Sequence, residues 1–353
     1  MQARRPRATS AGSAWGSSWD SRPASSWAPP RPGEPGTRVF RDPARRPGVE
    51  YPPVHRVYFG DNLPILRALP AGSADLIYID PPFNTGKVQE RTRIRTRRAE
   101  RGDRTGFQGR RYETVRIGTA RFADRFDDYP AFLEPRLREA HRVLAGNGTL
   151  YVHLDCREVH YLKVLLDAIF GRECFLNEII WAYDYGGKTT KKWPPKHDNI
   201  LVYVKRPGDY VFNVEEIERI PYMAPGLVDS QKAARGKLPT DTWWHTIVPT
   251  NSPERTGFPT QKPLGILKRI VLASSHPDDL VLDFFAGSGT TGEAAYRLGR
   301  RFLLVDNHPQ AIAVMRRRFA RLPGVEFLDW RPGPATRRWR KDARRIPSPQ
   351  ARD

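Results

Sequence analysis

A short turn with a carboxylate and an aromatic ring is the clearest candidate for chemistry in this chain. The turn consists of Asp80, Pro81, Pro82 and Phe83. It directly follows residues 76–79, an apolar run that is typical of a short buried strand. The two prolines end the strand, because neither can donate to a sheet ladder, and they stiffen the backbone. Ligands bind at the carboxyl ends of the strands in an open α/β sheet, so we expect this turn to border a site.

Such a turn suits attack by an exocyclic amine. The lone pair of an adenine or cytosine amine is delocalised into the ring, so the amine becomes nucleophilic only when acceptors hold its hydrogens. The Asp80 carboxylate and the Pro81 carbonyl would be the acceptors, and Phe83 would stack on the base. The alternative is that the tetrapeptide is only a tight turn, and the rest of the chain has to decide between the two.

A glycine-rich turn near the other end of the chain is the second candidate. Residues 281–292 are typical of a buried strand that leads through a turn into a helix. Within them, Gly287, Gly289 and Gly292 satisfy the pattern G-x-G-x-x-G, which alone also fits a dinucleotide-dependent oxidoreductase. Asp306, at the end of the next predicted strand, is placed to accept the ribose hydroxyls of a nucleoside.

Asp283 directly precedes this turn and separates two classes of cofactor. Its carboxylate would repel a pyrophosphate, whereas it suits the cationic amino-acid end of S-adenosylmethionine. The glycines would then let the backbone approach the cofactor without a Cβ in the way. The sequence therefore favours a sulfonium cofactor over a dinucleotide.

The composition restricts the partners and the compartment. The chain has 353 residues and a formal net charge of +20, which favours nucleic acid as a partner. Its two cysteines, Cys156 and Cys174, form no metal-type pair, so we expect a reducing compartment without zinc or a disulfide. No apolar run is as long as a membrane span and no signal-peptide pattern occurs, so a cytoplasmic protein is expected.

Strand and helix patterns alternate along the middle of the chain and predict an α/β fold with a parallel sheet. Strands are expected at residues 57–59, 76–79, 148–154, 179–183, 200–204 and 302–305, and from residue 281 onwards. Helices are expected from Pro64, after the cap Asp128, over residues 159–169 and after the glycine-rich turn.

Several segments lie outside this alternation. Residues 1–50 and 331–353 are expected to form a disordered basic tail and a basic C-terminal tail around the folded region 51–330. Residues 87–125 are crowded with arginine and are expected to form a long loop without regular structure that neutralises phosphates. Residues 183–256 combine sheet strands with a basic, aromatic loop and an irregular insertion, and we expect them to help select the target.

Together, the two turns resemble the motifs of a known family, the amino-methylating DNA methyltransferases that act on adenine N6 or cytosine N4. Residues 80–83 match its catalytic motif and residues 283–289 its cofactor motif. The catalytic motif comes first here, which resembles the circularly permuted beta-type members, in which residues 260–263 open the helix before the cofactor strand. The resemblance implies a doubly wound, mostly parallel, seven-stranded Rossmann-like sheet with a final antiparallel strand and an inserted target-recognition region.

The resemblance also implies a role for each matching residue. Asp80, Pro81, Pro82 and Phe83 would hold and stack a flipped base. Asp61 would read the adenine amine of S-adenosyl-L-methionine, and Asp306 would bind its ribose. Lys262 and Pro263 would pack along its methionine tail. The remaining cofactor-binding residues would be Asp283, Phe285, Ala286, Gly287, Ser288, Gly289 and Thr290.

The implied activity is methylation of adenine N6 in double-stranded DNA, since an aspartate at position 80 is more typical of the adenine enzymes than of the cytosine enzymes. Cytosine-N4 methylation is the alternative. A catalytically idle DNA-binding module and a methyltransferase for RNA or a protein amide are less favoured. The family leaves open a homodimer, a cognate restriction endonuclease and a nucleoid-associated location. No metal is expected, because the histidines lack ligand spacing and favour core or surface positions; they include His153, His160, His197 and His245.

Overall fold

A computed structural model of the protein describes residues 55–84, 87–98, 103–105, 111–124, 126–187 and 189–330. The two predicted tails, residues 1–50 and 331–353, lie outside these residues. The strands are β1 (His55–Phe59), β2 (Ala74–Ile79), β3 (Lys87–Arg98), β4 (Arg104–Thr105), β5 (Arg111–Asp124), β6 (Leu144–Leu154), β7 (Phe175–Ala182), β8 (His197–Val204), β9 (Thr242–Trp244), β10 (Leu280–Asp283), β11 (Arg301–Asp306) and β12 (Val325–Asp329). The helices are α1 (Asn62–Ala68), α2 (Tyr129–Val143), α3 (Val159–Phe170), α4 (Ser230–Arg235), α5 (Leu264–Ala273), α6 (Thr290–Arg297) and α7 (Pro309–Arg318).

Nine strands form one mixed sheet in this part of the chain, in the order β12-β1-β11-β10-β2-β6-β8-β7-β9. Neighbouring strands are parallel except that β8 runs antiparallel to β6 and β7. The predicted doubly wound, mostly parallel architecture is confirmed, but the predicted count of seven strands is wrong. The two extra strands lie at the sheet edges: β9 has three residues and β12 is largely half-buried. Neither carries the long apolar run that marks an inner strand.

Helices cover both faces of the sheet. The buried side chains of α1, α2 and α3 pack on one face together with Ile77 and Ile79 of β2. Those of α5, α6 and α7 pack on the other face with Leu76 and Tyr78. Successive residues of a strand point to opposite faces, which is why the end of β2 reads as one apolar run. None of the helices in the described ranges is long and apolar enough to cross a membrane.

The strand order determines where a ligand site forms. From β10 the chain continues through α6 to β11 on one side, whereas from β2 it continues to β6 on the other side. The two strands are neighbours, with Val281 opposite Leu76 and Leu282 opposite Ile77. Because the crevice at such a switch point opens at the carboxyl ends of the strands, the turns after β2 and β10 share one edge of the sheet.

The arginine-rich segment 87–125 departs from the prediction of an irregular loop. Its described part forms a long antiparallel hairpin, in which β3 pairs with β5 from Lys87 opposite Asp124 to Arg98 opposite Tyr112, and β4 adds a third strand. The arginine content favoured a loop, but from position 91 to 97 arginine alternates with threonine and isoleucine. Alternation of period two is the pattern of a strand, and here it outweighs composition.

The insertion between β8 and α5 has the expected character. Its regular elements are short: a 3-10 turn at Pro225–Leu227, the six-residue helix α4 and the three-residue strand β9. The irregular insertion expected within residues 183–256 is observed, since most of residues 207–256 have no regular structure. The pairing of β9 with β7, which extends the sheet, was not predicted.

Candidate active site

One cleft of about 440 Å³ opens where β2 and β10 end. The turn after β2 lines it with all four predicted residues, Asp80, Pro81, Pro82 and Phe83. The predicted cofactor residues that also line it are Lys262, Asp283, Phe285, Ala286, Gly287, Ser288, Thr290 and Asp306. The fold therefore brings the two turns, which lie near opposite ends of the folded region, to a single site.

A buried lysine holds the Asp80 carboxylate. Asp80 Oδ2 accepts a hydrogen bond from Lys262 Nζ, and only 14% and 10% of the two side chains are exposed. The same ammonium lies 4.8 Å from the centre of the Phe83 ring. Asp80 Oδ1 is buried and has no hydrogen-bond partner among the described residues. Asp80 Oδ1 can thus accept a hydrogen bond from a bound ligand. The nearby Lys262 ammonium shows that the carboxylate and the Phe83 ring can stabilise a cationic nitrogen.

A buried polar network adjoins this turn. The His153 ring, near the end of β6, lies 6.0 Å from the Phe83 ring and 5.5 Å from the Trp181 ring. His153 Nδ1 lies 2.8 Å from the Tyr78 hydroxyl, and Nε2 lies 3.1 Å from Asp198 Oδ2. A carboxylate only accepts, so Nε2 donates to Asp198 and, in the neutral ring, Nδ1 accepts from Tyr78. These bonds fix the orientation of the ring that packs beside Phe83.

Asp198 binds two donors in this network. Besides His153, the Tyr183 hydroxyl donates to Asp198 Oδ1 over 3.2 Å. Burial alone would raise the pKa of Asp198, but the hydrogen bond and charge of His153, together with the charge of Lys262, hold it below its ordinary value. Asp198 is therefore ionised at neutral pH and ties Tyr183, which follows β7, to the residues around the catalytic turn.

Asp283 ends β10 and is bound by its own turn. Its Oδ1 accepts from the Phe285 amide over 3.0 Å, and its Oδ2 accepts from the Thr291 hydroxyl over 2.6 Å. Burial raises the pKa of Asp283 to about 7, and the negative charges of Asp80 and Asp306 act in the same direction. The carboxyl group is thus poised between its two protonation states near neutral pH, where a bound cation would favour the ionised form.

Asp306 ends β11 and is bound by two backbone amides. Its Oδ2 accepts from Gly287 N and its Oδ1 from His308 N, both over 2.8 Å. Burial raises the pKa of Asp306, while these two hydrogen bonds oppose the shift. A carboxylate oxygen has more than one lone pair, so Asp306 still has acceptors for a pair of ribose hydroxyls.

The cleft fits a cationic nucleoside and not a pyrophosphate. Three carboxylates line it, those of Asp80, Asp283 and Asp306, together with the ammonium of Lys262. Aromatic side chains supply apolar wall: Phe83, Phe126, Phe132, Phe258 and Phe285. This combination suits the sulfonium, the ammonium and the adenine ring of S-adenosyl-L-methionine, whereas it would repel the phosphates of a dinucleotide.

The comparison with known protein families agrees with this geometry. The family described as DNA methylase, N6_N4_Mtase, matches residues 74–317, which is more than half of the chain. The chain belongs to this family. S-adenosyl-L-methionine is the cofactor of the family, and the cofactor predicted from the sequence is thereby confirmed.

Two relatives and one solved structure give the extent of the similarity. The type II methyltransferase M.HpaI of Haemophilus parainfluenzae is 29% identical over 277 residues, which cover 78% of either chain. The DNA adenine methyltransferase YhdJ of Escherichia coli K12 is 32% identical over 270 residues, covering 74% of this chain and 81% of YhdJ. The structure of PvuII DNA methyltransferase, which is cytosine-N4-specific, superimposes with a TM-score of 0.52 at 16% identity, over 84% of this chain and 95% of that one. The match to the PvuII enzyme shows that the fold is shared. The family includes adenine-N6 and cytosine-N4 enzymes, so membership in it identifies the reaction but not the base that is methylated.

The glycines of this DNA methylase serve two different purposes. Gly287 lines the cleft with φ +52°, and a Cβ there would lie 3.2 Å from Phe258 Cε1. Gly289 lies outside the cleft lining at φ +76°, and a Cβ there would lie 2.7 Å from Met315 Cγ of α7. Gly287 therefore keeps the cleft open, whereas Gly289 allows the start of α6 to pack on α7.

Asp61 and Pro263 also lie outside the cleft lining. Asp61 caps α1 by accepting from Leu63 N over 3.1 Å, and it pairs with Arg136 Nη2 over 3.1 Å. Pro263 precedes α5 as its N-cap residue. Their roles toward the cofactor stay predictions, as does the place of Lys262 along the methionine tail; Lys262 contacts Asp80 in the free protein.

Sequence reasoning missed several residues of the site. Phe126 and Phe258 lie in stretches without a regular pattern, so no signal pointed to them. His153 was expected in the core or on the surface and is indeed buried, but it also adjoins Phe83. Its place at the end of a predicted strand, at the same sheet edge as Asp80, was the signal that would have found it.

Proposed function

We propose that this DNA methylase transfers a methyl group from S-adenosyl-L-methionine to N6 of an adenine that has been rotated out of double-stranded DNA. The observation that supports it best is the environment of Lys262 Nζ, which is bound by Asp80 and lies over Phe83. A carboxylate and an aromatic ring are both groups that stabilise positive charge, so the turn suits an amine nitrogen that becomes positively charged during transfer.

The cofactor supplies an electrophilic methyl group on a sulfonium, and Asp283 and Asp306 are the carboxylates that would hold its charged and ribose parts. Asp80 Oδ1, the acceptor without a partner among the described residues, would take a hydrogen bond from the target amine. The Pro81 carbonyl would take the second. With both hydrogens held, the nitrogen lone pair is directed out of conjugation and toward the methyl carbon.

The step conserves atoms and charge. A nitrogen–carbon bond forms as the carbon–sulfur bond breaks, so the positive charge moves from sulfur to the amine nitrogen. The methylated amine then loses a proton, which Asp80 accepts and passes to solvent. Extrusion of the base costs on the order of a few kcal/mol, and stacking on Phe83 with two hydrogen bonds offsets it.

Adenine is proposed over cytosine on two grounds. The catalytic turn carries an aspartate at position 80, and the relative YhdJ, 32% identical over 81% of its length, is named a DNA adenine methyltransferase. Cytosine-N4 methylation is the second candidate, because the cytosine-N4-specific PvuII enzyme has the same fold. The relative M.HpaI is named a type II methyltransferase, which favours a role in restriction–modification beside a nuclease acting on the same DNA in the cytoplasm.

Mass spectrometry of nucleosides tests this proposal. Duplex DNA treated with the purified protein and S-adenosyl-L-methionine should yield N6-methyladenine. Release of N4-methylcytosine alone would support the second candidate instead. The absence of both products, with RNA or protein methylated under the same conditions, would contradict a DNA substrate.

A further inference from the structure

The loop between β7 and β8 presents an indole to solvent. We call residues 183–196 the β7–β8 loop; all but residue 188 are described. Trp193 is 95% exposed, and two prolines follow it while Lys191 and Lys192 precede it. An exposed indole between lysines and prolines combines a flat stacking face with positive charge, which suits contact with nucleic acid.

The base of this loop is closed and held in place. Tyr183 N and Asp184 N donate to Lys196 O over 3.0 and 3.4 Å, and Lys196 Nζ donates to Gly186 O over 3.1 Å. Asp184 takes a left-handed turn with φ +44°. The loop therefore projects from a fixed base, and the prolines after Trp193 further restrict its backbone.

The loop projects from the edge of the sheet where the cleft lies. β7 runs parallel to β2, and only β6 and β8 separate them, so the two strands lie roughly 14 Å apart across the sheet at the usual strand spacing. Contacts connect the two sites: the Tyr183 hydroxyl donates to Asp198, Asp198 binds His153, and the His153 ring packs beside Phe83. A duplex that delivers a base to the cleft would pass over this loop.

We propose that Trp193 enters the base stack at the position that the extruded base leaves, while the adjacent lysines bind the flanking phosphates. This inference rests on the proposed function. An extruded base leaves a gap whose neighbours have lost their stacking partner, and an indole offers a flat surface that restores it. The stiff loop supplies the indole in advance, so Trp193 stabilises the opened duplex and takes no part in the transfer itself.

The test compares duplexes in which the target base is paired with duplexes in which it is already unpaired. Sequencing of methylated bases in DNA from an expressing host gives the target site, and duplexes are made with the target base either paired or opposite an abasic site. Trp193→Ala should lower kcat/KM on the paired duplex by about tenfold or more and on the abasic duplex by less than about threefold. Trp193→Phe should retain most of the rate on both. Tyr161→Ala, an exposed aromatic on α3, is the matched control and should behave as wild type.

A second readout does not depend on methyl transfer. In a duplex with 2-aminopurine at the target position, wild-type protein should increase the fluorescence as the base leaves the stack, and Trp193→Ala should give little increase at saturating protein. Equal losses on both duplexes, or an unchanged fluorescence response, would overturn the proposal and indicate a groove or phosphate contact only. If the wild-type protein methylates no DNA, the proposed function fails and this proposal fails with it, whereas methylation of DNA by the wild type with either of those two results overturns this proposal alone.

Discussion

Lys262 and Asp80 are 182 residues apart in the chain, yet they form a buried ion pair at the centre of the cleft. The pair joins the two halves of the site, because Asp80 follows β2 and Lys262 directly precedes the Pro263 cap of α5. The lysine also lies over the Phe83 ring, so it contacts both groups that we expect to hold the target base. The ammonium of Lys262 thus contacts both the carboxylate and the ring of the catalytic turn.

Removing the charge of Lys262 should lower both the stability of the protein and its rate of methyl transfer. Lys262→Met leaves the buried Asp80 carboxylate without its partner, and loss of one member of a buried pair costs about 3–5 kcal/mol. We expect Lys262→Met to lower the free energy of unfolding by about 3 kcal/mol and to reduce methyl transfer. Chemical denaturation and a transfer assay measure the two effects. Lys262→Arg keeps the charge and is the control; equal stability of both variants would contradict the pairing.

The raised pKa of Asp283 predicts that cofactor binding depends on pH. The carboxyl group has a pKa of about 7 in the folded protein, so it is largely neutral below that value and attracts a cation only when ionised. The affinity for S-adenosyl-L-methionine should therefore rise several-fold, up to about tenfold, between about pH 6 and about pH 8. Isothermal titration calorimetry measures it. In Asp283→Asn the affinity should be low and nearly independent of pH over this range.

The same shift predicts the sign of a stability effect. The pKa of Asp283 is raised from its ordinary value of 3.8, so its contribution to folding is fully present below the unfolded-state pKa and is lost as the pH rises toward and past about 7. Compared with Asp283→Asn, the free protein should lose stability between about pH 4 and about pH 7, measured by denaturation without cofactor. If the stability of the wild type relative to Asp283→Asn instead increased with pH, burial would not be neutralising the Asp283 carboxyl group.

Gly289 should matter for packing rather than for the ligand. Gly289→Ala places a Cβ 2.7 Å from Met315 Cγ in a left-handed conformation, so the variant should lose about 1–3 kcal/mol of stability. The fraction that stays folded should bind the cofactor with nearly unchanged affinity. Thermal unfolding and calorimetry at low temperature separate the two effects. A normal stability with a large loss of affinity would instead support the cofactor role predicted for this glycine.

His153 should act on the reaction by positioning Phe83. His153→Gln keeps some hydrogen-bonding capacity toward Tyr78 and Asp198 but removes the ring that packs 6.0 Å from Phe83. We expect kcat to fall by about tenfold with the cofactor affinity unchanged. Steady-state kinetics with a saturating cofactor measures it, and His160→Gln on α3 is the matched control. A parallel loss of cofactor affinity would indicate a general disturbance of the cleft.

The sequence predicted those parts of the fold whose signals are local. Apolar runs predict the inner strands, and the two prolines after Ile79 predict the end of β2. Both predicted turns meet at one cleft. The hairpin of residues 87–124 was missed because charge masked its alternation, and the edge strand β9 is too short to show any. The Lys262–Asp80 pair and the place of Phe258 in the cleft depend on tertiary approach, which no spacing within the chain encodes.

Methyl transfer by Asp80→Ala tests the role of the catalytic turn most directly. It is measured on duplex DNA with cofactor labelled in the methyl group, together with calorimetric binding of S-adenosyl-L-methionine. We expect the variant to bind the cofactor with an affinity close to that of the wild type and to transfer no label, because the acceptor for the target amine is gone. Label in DNA at a rate near that of the wild type would contradict the role of Asp80 and, with it, the mechanism.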